Sequence, residues 1–243
     1  MGKLQNKTII VTGASSGFGE AIAIACAAEG AKVSLVARRA EVLEKVAAAA
    51  RVNAGGEALV CPADVSDDAQ IHAAVERTRA AFGAIDVLVN NAGTNIPQRS
   101  ITDTSAAQWR ELMEINLTSA YVFTRAVLPE MKARGDGLII NIASRAGMFP
   151  SIGAGVAYSA SKIGMEALNA VTNEEGNARG VRACLFNPGA GNTPIIDRRP
   201  LKFSQAQKMK MIQPEDIAAT VVFIASLPPR VNIDLVSMLP TQS

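Results

Sequence analysis

Tyr158 and Lys162 stand four residues apart in a stretch with helical spacing, which puts them on one face of a helix. An ammonium beside a phenol favours the phenolate and draws a tyrosine pKa down from its reference of about 10. Such a tyrosine can give or take a proton near neutral pH. By itself the pair is an ordinary helix surface motif, and its neighbours in the chain add the weight. Ser144 closes the apolar run Asn141-Ile142-Ala143-Ser144, and ligands of open parallel sheets gather at the carboxyl ends of strands. Far upstream, a β-branched run passes through Thr12-Gly13-Ala14-Ser15-Ser16-Gly17-Phe18-Gly19 into a helical stretch. Glycines there let the backbone turn sharply and approach a pyrophosphate on the helix N-terminus. Their spacing is G-x-x-x-G-x-G, not the best-known G-x-G-x-x-G fingerprint.

The same letters, Gly13-Ala14-Ser15-Ser16-Gly17, also fit the G-x-S-x-G nucleophile elbow of α/β hydrolases. That chemistry needs a histidine. The one histidine, His72, falls in an early helical stretch, and no HGGG-type oxyanion segment is present, so the hydrolase reading is set aside. The second β run ends Val36-Ala37-Arg38-Arg39, with no acid before Glu41. An acid at that place holds a ribose 2′-OH, whereas arginine accepts a 2′-phosphate. Arg38 and Arg39 offer guanidinium forks for a phosphate dianion. Cations at a helix start are unfavourable without an anion to bind, so the pair points to NADP(H).

These residues must be carried by an alternating scaffold. Buried β runs are predicted at Thr8–Thr12, Lys32–Ala37, Ala58–Cys61, Val87–Asn90, Leu138–Ile142, Val181–Phe186 and Asn232–Met238. Between them lie helical stretches at Gly17–Ala28, Glu41–Ala54, Asp68–Phe82, Ala106–Met131, Ala157–Ala178 and Pro214–Ser226. Gly30 and Gly55-Gly56 read as helix stops, Ser66 as an N-cap, and Pro214-Glu215-Asp216 as a first turn. Strict βαβα alternation implies an α/β fold with a parallel sheet covered on both faces. The least regular stretch, about 189–213, has the character of a substrate lid. Pocket walls are expected at Thr94–Gln98, Arg145–Gly155 and Ile195–Phe203. There Met148, Phe149, Ile152 and Phe203 favour an apolar lining, and Arg145, Arg198 and Arg199 could hold an acid.

The 243 residues suit one large domain with a substantial core, since 49% are hydrophobic and 19% charged. A net charge of +2 without a Lys/Arg run gives no reason to expect nucleic acid. No apolar stretch is long enough to span a membrane, and no signal-peptide pattern opens the chain. Cys26, Cys61 and Cys184 read as reduced, buried thiols of a cytoplasmic protein, and the scarcity of His and clustered Cys speaks against a metal site.

Taken together, the glycine loop, Asp64-Val65, Asn90-Asn91-Ala92-Gly93, Asn116, Ser144, Tyr158-Ser159-Ala160-Ser161-Lys162 and Asn187-Pro188-Gly189 resemble the short-chain dehydrogenase/reductase family over nearly the whole chain. The resemblance implies a single-domain Rossmann fold over 1–243, a doubly wound parallel sheet of about seven strands in the order 3-2-1-4-5-6-7. It implies hydride transfer between NADP(H) and a small alcohol or carbonyl substrate, with Tyr158 as general acid/base. Ser144 would bond the reacting oxygen, and Lys162 would hold the nicotinamide ribose. Asn116 would kink its helix and keep a proton-relay water. Gly13, Ser15, Ser16, Gly17, Phe18 and Gly19 would cradle the pyrophosphate. Asp64 and Val65 would flank the adenine. Asn91, Ala92, Gly93, Ile142, Pro188, Gly189 and Thr193 would line the rest of the cofactor. Asn90 is expected to be structural. A homodimer or homotetramer is implied, with helices around Trp109–Arg125 and Ala157–Asn173 at the main interface. The C-terminus lacks the usual glycine-rich ending and is closer to the branch of 3-hydroxy acid and serine dehydrogenases. A catalytically silent nucleotide sensor of the same fold is the alternative; its usual sign, a missing tyrosine or lysine, is not found.

Overall fold

A computed structural model describes residues 2–52 and 57–241. Its strands are β1 (Thr8–Thr12), β2 (Lys32–Ala37), β3 (Glu57–Pro62), β4 (Val87–Asn90), β5 (Gly137–Ile142), β6 (Val181–Pro188) and β7 (Leu235–Met238). The helices are α1 (Gly17–Ala28), α2 (Ala40–Val52), α3 (Asp68–Phe82), α4 (Ala106–Met113), α5 (Ser119–Arg134), α6 (Arg145–Met148), α7 (Val156–Gly176), α8 (Gln205–Met209) and α9 (Pro214–Ala225). All seven strands pair in parallel in the order β3-β2-β1-β4-β5-β6-β7, as expected.

The unbroken apolar runs reflect burial on both faces. On β1, Ile9 and Val11 pack with α1, α2 and α9 residues such as Ile22, Leu43 and Val221, while Ile10 joins Ile71, Phe123 and Val127 of α3 and α5. Each such side chain, withdrawn fully from water, contributes about 1.5–3 kcal/mol before the cost of ordering the chain. Strand order reverses between β1 and β4, so the carboxyl ends of these strands open a crevice. The glycine loop, the Asn90-Asn91-Ala92-Gly93 turn and Ser144 all leave the sheet at that edge.

Several local expectations change. The cap of α3 is Asp67, whose carboxylate accepts from the Ala69 and Gln70 N–H groups at 2.9 and 3.2 Å. Ser66 is instead held by the Asp64 carboxylate, its hydroxyl at 2.7 Å. The helix expected over Ala106–Met131 is interrupted by a π-helical turn at Glu114–Thr118. The last strand begins at Leu235 rather than Asn232, because Asn232 donates to the Asn173 side chain and the Val231 carbonyl is taken by Arg182. Gly55, Gly56 and the predicted end of the second helix lie outside the described residues. The irregular stretch contains a 3-10 turn at Pro194–Arg198, the short α8 and a bridge between Gly191 and Ile212. Cys26, Cys61 and Cys184 are free and buried.

Candidate active site

Gly13 and Gly17 take left-handed conformations, φ +67° and +59°, which bend the chain from β1 into α1. A Cβ on Gly17 would lie 3.1 Å from Thr193, and one on Gly191 would lie 2.3 Å from the Phe18 ring. The 189–213 segment therefore lies directly against the glycine loop. Gly19 plays a different part from its neighbours. It does not line the cleft, and a Cβ there would strike the Gly13 carbonyl oxygen at 2.4 Å, so its role is close packing of the loop. Asn91 ties the loop to β4, its side chain donating to the Thr12 carbonyl at 2.8 Å. The Thr12 hydroxyl oxygen accepts from the Asn91 and Ala92 N–H groups, both at 2.9 Å.

At the end of β2, Arg38 and Arg39 are exposed, and neither pairs with a carboxylate among the described residues. Arg39 donates to the Ser15 hydroxyl at 3.1 Å, which holds its guanidinium over the glycine loop. Ser66 hydrogen bonds, with a smaller pull from the Arg38 charge, keep the Asp64 carboxyl below its usual range.

The π turn explains Asn116. It is fully buried, its oxygen accepts from the Thr94 N–H at 2.7 Å, and its amide donates to the Thr94 carbonyl at 3.0 Å. That amide also reaches the Ser161 hydroxyl at 3.2 Å, which in turn donates to the Tyr158 carbonyl at 2.8 Å. Asn116 thus couples the turn after β4 to the helix bearing Tyr158, from behind the cleft wall. Asn90 plays a structural part, bonding two side chains and the Ala120 carbonyl. It donates to Asn141 at 2.9 Å and Thr124 at 3.2 Å, and Asn141 passes the chain on to Asn169 at 3.0 Å.

Ser144 caps α6 through the Ala146 N–H at 3.1 Å and also hydrogen-bonds the Tyr158 phenol. Lys162 is buried, with its ammonium 2.9 Å from the Ile142 carbonyl and 5.7 Å from the centre of the Tyr158 ring. Desolvation lowers its pKa to about 8. The electrostatic expectation for Tyr158 fails. Burial pushes the phenol above its ordinary value, and the opposing pulls come from the Ser144 hydrogen bond and the charges of Arg199 and Arg99. The reason lies in the geometry, because Lys162 points its ammonium at a strand-end carbonyl rather than at the hydroxyl.

These residues share one cleft of about 810 Å³, within the range of small-molecule sites. Gly13, Ser15, Ser16, Gly17, Phe18, Arg38, Arg39, Asp64, Val65, Asn91, Ala92, Gly93, Ile142, Ser144, Tyr158, Lys162, Pro188, Gly189 and Thr193 all line it. Of the expected apolar wall only Phe149 does so. Met148 and Ile152 face solvent, and the Phe203 ring lies 5.9 Å below the Arg199 guanidinium. His72 is exposed on α3, away from the cleft, which removes the hydrolase reading. Arg99 was missed. It follows directly on the predicted wall Thr94–Gln98, and its one available signal was an arginine in a loop that leaves a strand's carboxyl end.

The chain matches the family model for short chain dehydrogenases over residues 7–202. It is 35% identical over 229 residues to a 2,5-dichloro-2,5-cyclohexadiene-1,4-diol dehydrogenase of Sphingobium indicum, covering 92% of this chain and 90% of the relative. A metagenomic short-chain oxidoreductase crystallised with NADP superposes with a TM-score of 0.85 at 36% identity, covering 99% and 100% of the two chains. An alcohol dehydrogenase of the archaeon Thermococcus sibiricus, complexed with 5-hydroxy-NADP, gives 0.87 at 30% identity, covering 98% and 97%.

Proposed function

Since the chain belongs to the short-chain dehydrogenase family, we propose that it is an NADP(H)-dependent oxidoreductase that interconverts a small alcohol and its ketone or aldehyde, with Tyr158 as general acid/base. One observation carries the reading: Tyr158, Ser144 and Lys162 line the same cleft as the Gly13–Gly17 turn. The residues fit a dinucleotide. Gly13, Ser15, Ser16 and Gly17 put the loop on the cleft at the N-terminus of α1, and two arginines without carboxylate partners among the described residues stand at the end of β2, where a 2′-phosphate would lie. Two similar structures hold NADP or a derivative of it, which supports the same choice of nucleotide.

NADP(H), when bound, supplies or accepts the hydride at the substrate carbon. The chain's own residues do the rest. In reduction, the Tyr158 hydroxyl gives its proton to the carbonyl oxygen as charge builds there; in oxidation the phenolate takes the alcohol's proton. The Ser144 hydroxyl bonds the same oxygen and fixes its distance from Tyr158. Lys162, poised near pH 8, holds the ribose hydroxyls and brings a positive charge close to the phenol. Asn116 fixes Thr94 and the Tyr158 helix and keeps a water on the path from Lys162 to solvent. Residues 189–213 act as the lid, with Thr193 against the glycine loop.

By the family's habit the molecule is a cytoplasmic homodimer or homotetramer. Trp109, Tyr121, Ile163 and Val171, exposed on α4, α5 and α7, supply apolar surface for that contact. No helix among the described residues is long and apolar enough to cross a membrane. A screen of NADPH oxidation across aldehydes, ketones and oxo acids tests the activity. Saturable turnover with at least one class is expected, and no turnover with any of them contradicts the proposal.

A further inference from the structure

Four arginines, Arg99, Arg145, Arg198 and Arg199, line the substrate end of the cleft. None pairs with a carboxylate among the described residues. Arg99 is the telling one, being only 7% exposed. Its side chain passes beneath Gly155, where a Cβ would lie 2.9 Å from the Arg99 Cδ. Its terminal nitrogens donate to the Ala154 carbonyl at 2.7 Å and the Arg198 carbonyl at 3.3 Å, and its buried Nε has no partner. Carbonyls satisfy donors but leave the charge uncompensated.

Arg182 is a control within the same molecule. It is similarly buried, at 8% exposure, and its Nε also lacks a partner, but Asp136 faces it at 3.9 Å. Charge compensation, not the Nε, sets the two apart. A buried cation without a counter-ion is costly. The cost falls here at a ligand site, and the one acid lining the cleft among the described residues, Asp64, stands with Arg38 at the other end and is held by Ser66. Arg199 adds like-charge repulsion to Arg99, and both act electrostatically on the Tyr158 phenol. Arg99 reaches the carbonyl of the residue before Arg199, so both arginines stand at one end of the cleft, and a single anion bound there would offset both charges.

We propose that this end of the cleft is a carboxylate site, with Arg199 and Arg99 holding the acid group of the substrate, so that the enzyme interconverts hydroxy acids and oxo acids. The idea rests on the oxidoreductase reading and narrows it. A planar carboxylate matches the guanidinium fork. Phe149 and Ile195 on the same walls leave room for a short apolar body between acid and carbonyl.

The test compares short 2-oxo and 3-oxo carboxylates with their primary amides, using the full chain and NADPH. It is run on the wild type, on Arg199→Gln, and on Arg99→Lys, which keeps the charge. The acids should exceed the amides in kcat/KM by about tenfold or more. Arg199→Gln should collapse that ratio mainly through KM, and Arg99→Lys should retain a preference for acids. Equal use of acid and amide by the wild type overturns the carboxylate site and leaves the oxidoreductase reading standing. So does a ratio that survives Arg199→Gln. A variant that weakens NADPH binding while keeping the ratio assigns Arg199 to the cofactor and also overturns it. A second arm needs no turnover: butyrate and butyramide are titrated into the protein–NADPH complex, followed by nucleotide fluorescence. Should no carbonyl compound react, the oxidoreductase reading fails, and this arm decides the site. Butyrate binding that is lost in Arg199→Gln upholds it. No difference between the two probes overturns it. If Arg99→Lys does not fold, Arg199→Gln, on the outer 189–213 segment, carries both arms.

Discussion

Burial and charge pull the Tyr158 hydroxyl in opposite directions. Burial favours the neutral phenol, which suits a proton donor, while Ser144, Arg199 and Arg99 favour the phenolate, which suits an acceptor. A group held between these pulls can serve either direction of an alcohol–carbonyl reaction. Lys162, with a pKa near 8, strengthens the phenolate when charged and brought closer by the ribose it is proposed to hold. The proposed nucleotide choice likewise rests on single residues. If Arg38 makes the proposed charge-assisted bond to a 2′-phosphate, Arg38→Ala should lower NADPH affinity by about tenfold or more while NADH affinity changes little. Fluorescence titration with both nucleotides checks this, and equal losses contradict it.

At the scale of elements, the break between α4 and α5 ties the site together. The π turn delivers Asn116 to both backbone groups of Thr94, and through Ser161 to the Tyr158 carbonyl. Asn116→Leu strands a buried N–H and a carbonyl, which should destabilise the fold by about 1–3 kcal/mol in urea unfolding. A loss under about 0.5 kcal/mol would show that this turn does not depend on the side chain. The sequence could not reveal this break. Met113 to Ser119 contains no proline or glycine, and periodicity registers an extra residue in one turn only as a small phase slip. The N-cap of α3 was misplaced by one residue for a related reason. Ser66 and Asp67 are both good caps, and the choice between them was settled by Asp64, whose carboxylate already holds Ser66.

At the scale of the whole molecule, the parallel sheet was legible because each strand is buried on both faces and is written in unbroken apolar letters. Cleft-lining residues at strand ends, from Gly13 to Gly189, were legible for the same reason, since strand ends can be read from the chain. Arg99 and the true setting of Lys162 were not, because both depend on contacts between distant segments. Lys162 also marks the protein's stability. Its folded pKa of about 8 lies below the ordinary lysine value of 10.5, so between these values the unfolded chain binds more protons. Stability therefore rises with pH across that window, by up to about 3 kcal/mol from this group. Cys26 and Cys184, both pushed up to about 12, act in the opposite sense above their ordinary 9.0. Comparing the wild type with Lys162→Met cancels the thiols. The wild type should gain stability on the variant from pH 8 to 10.5, and a constant difference would contradict the buried-amine account.

The proposed activity stands or falls on a proton moved by Tyr158 beside a bound nicotinamide nucleotide. Tyr158→Phe isolates it when the NADPH dissociation constant and the turnover of the best substrate from the screen are determined on one preparation. Affinity should stay within about twofold of the wild type, with a rate lower by a factor on the order of 10²–10⁴. Turnover at the wild-type rate would contradict it.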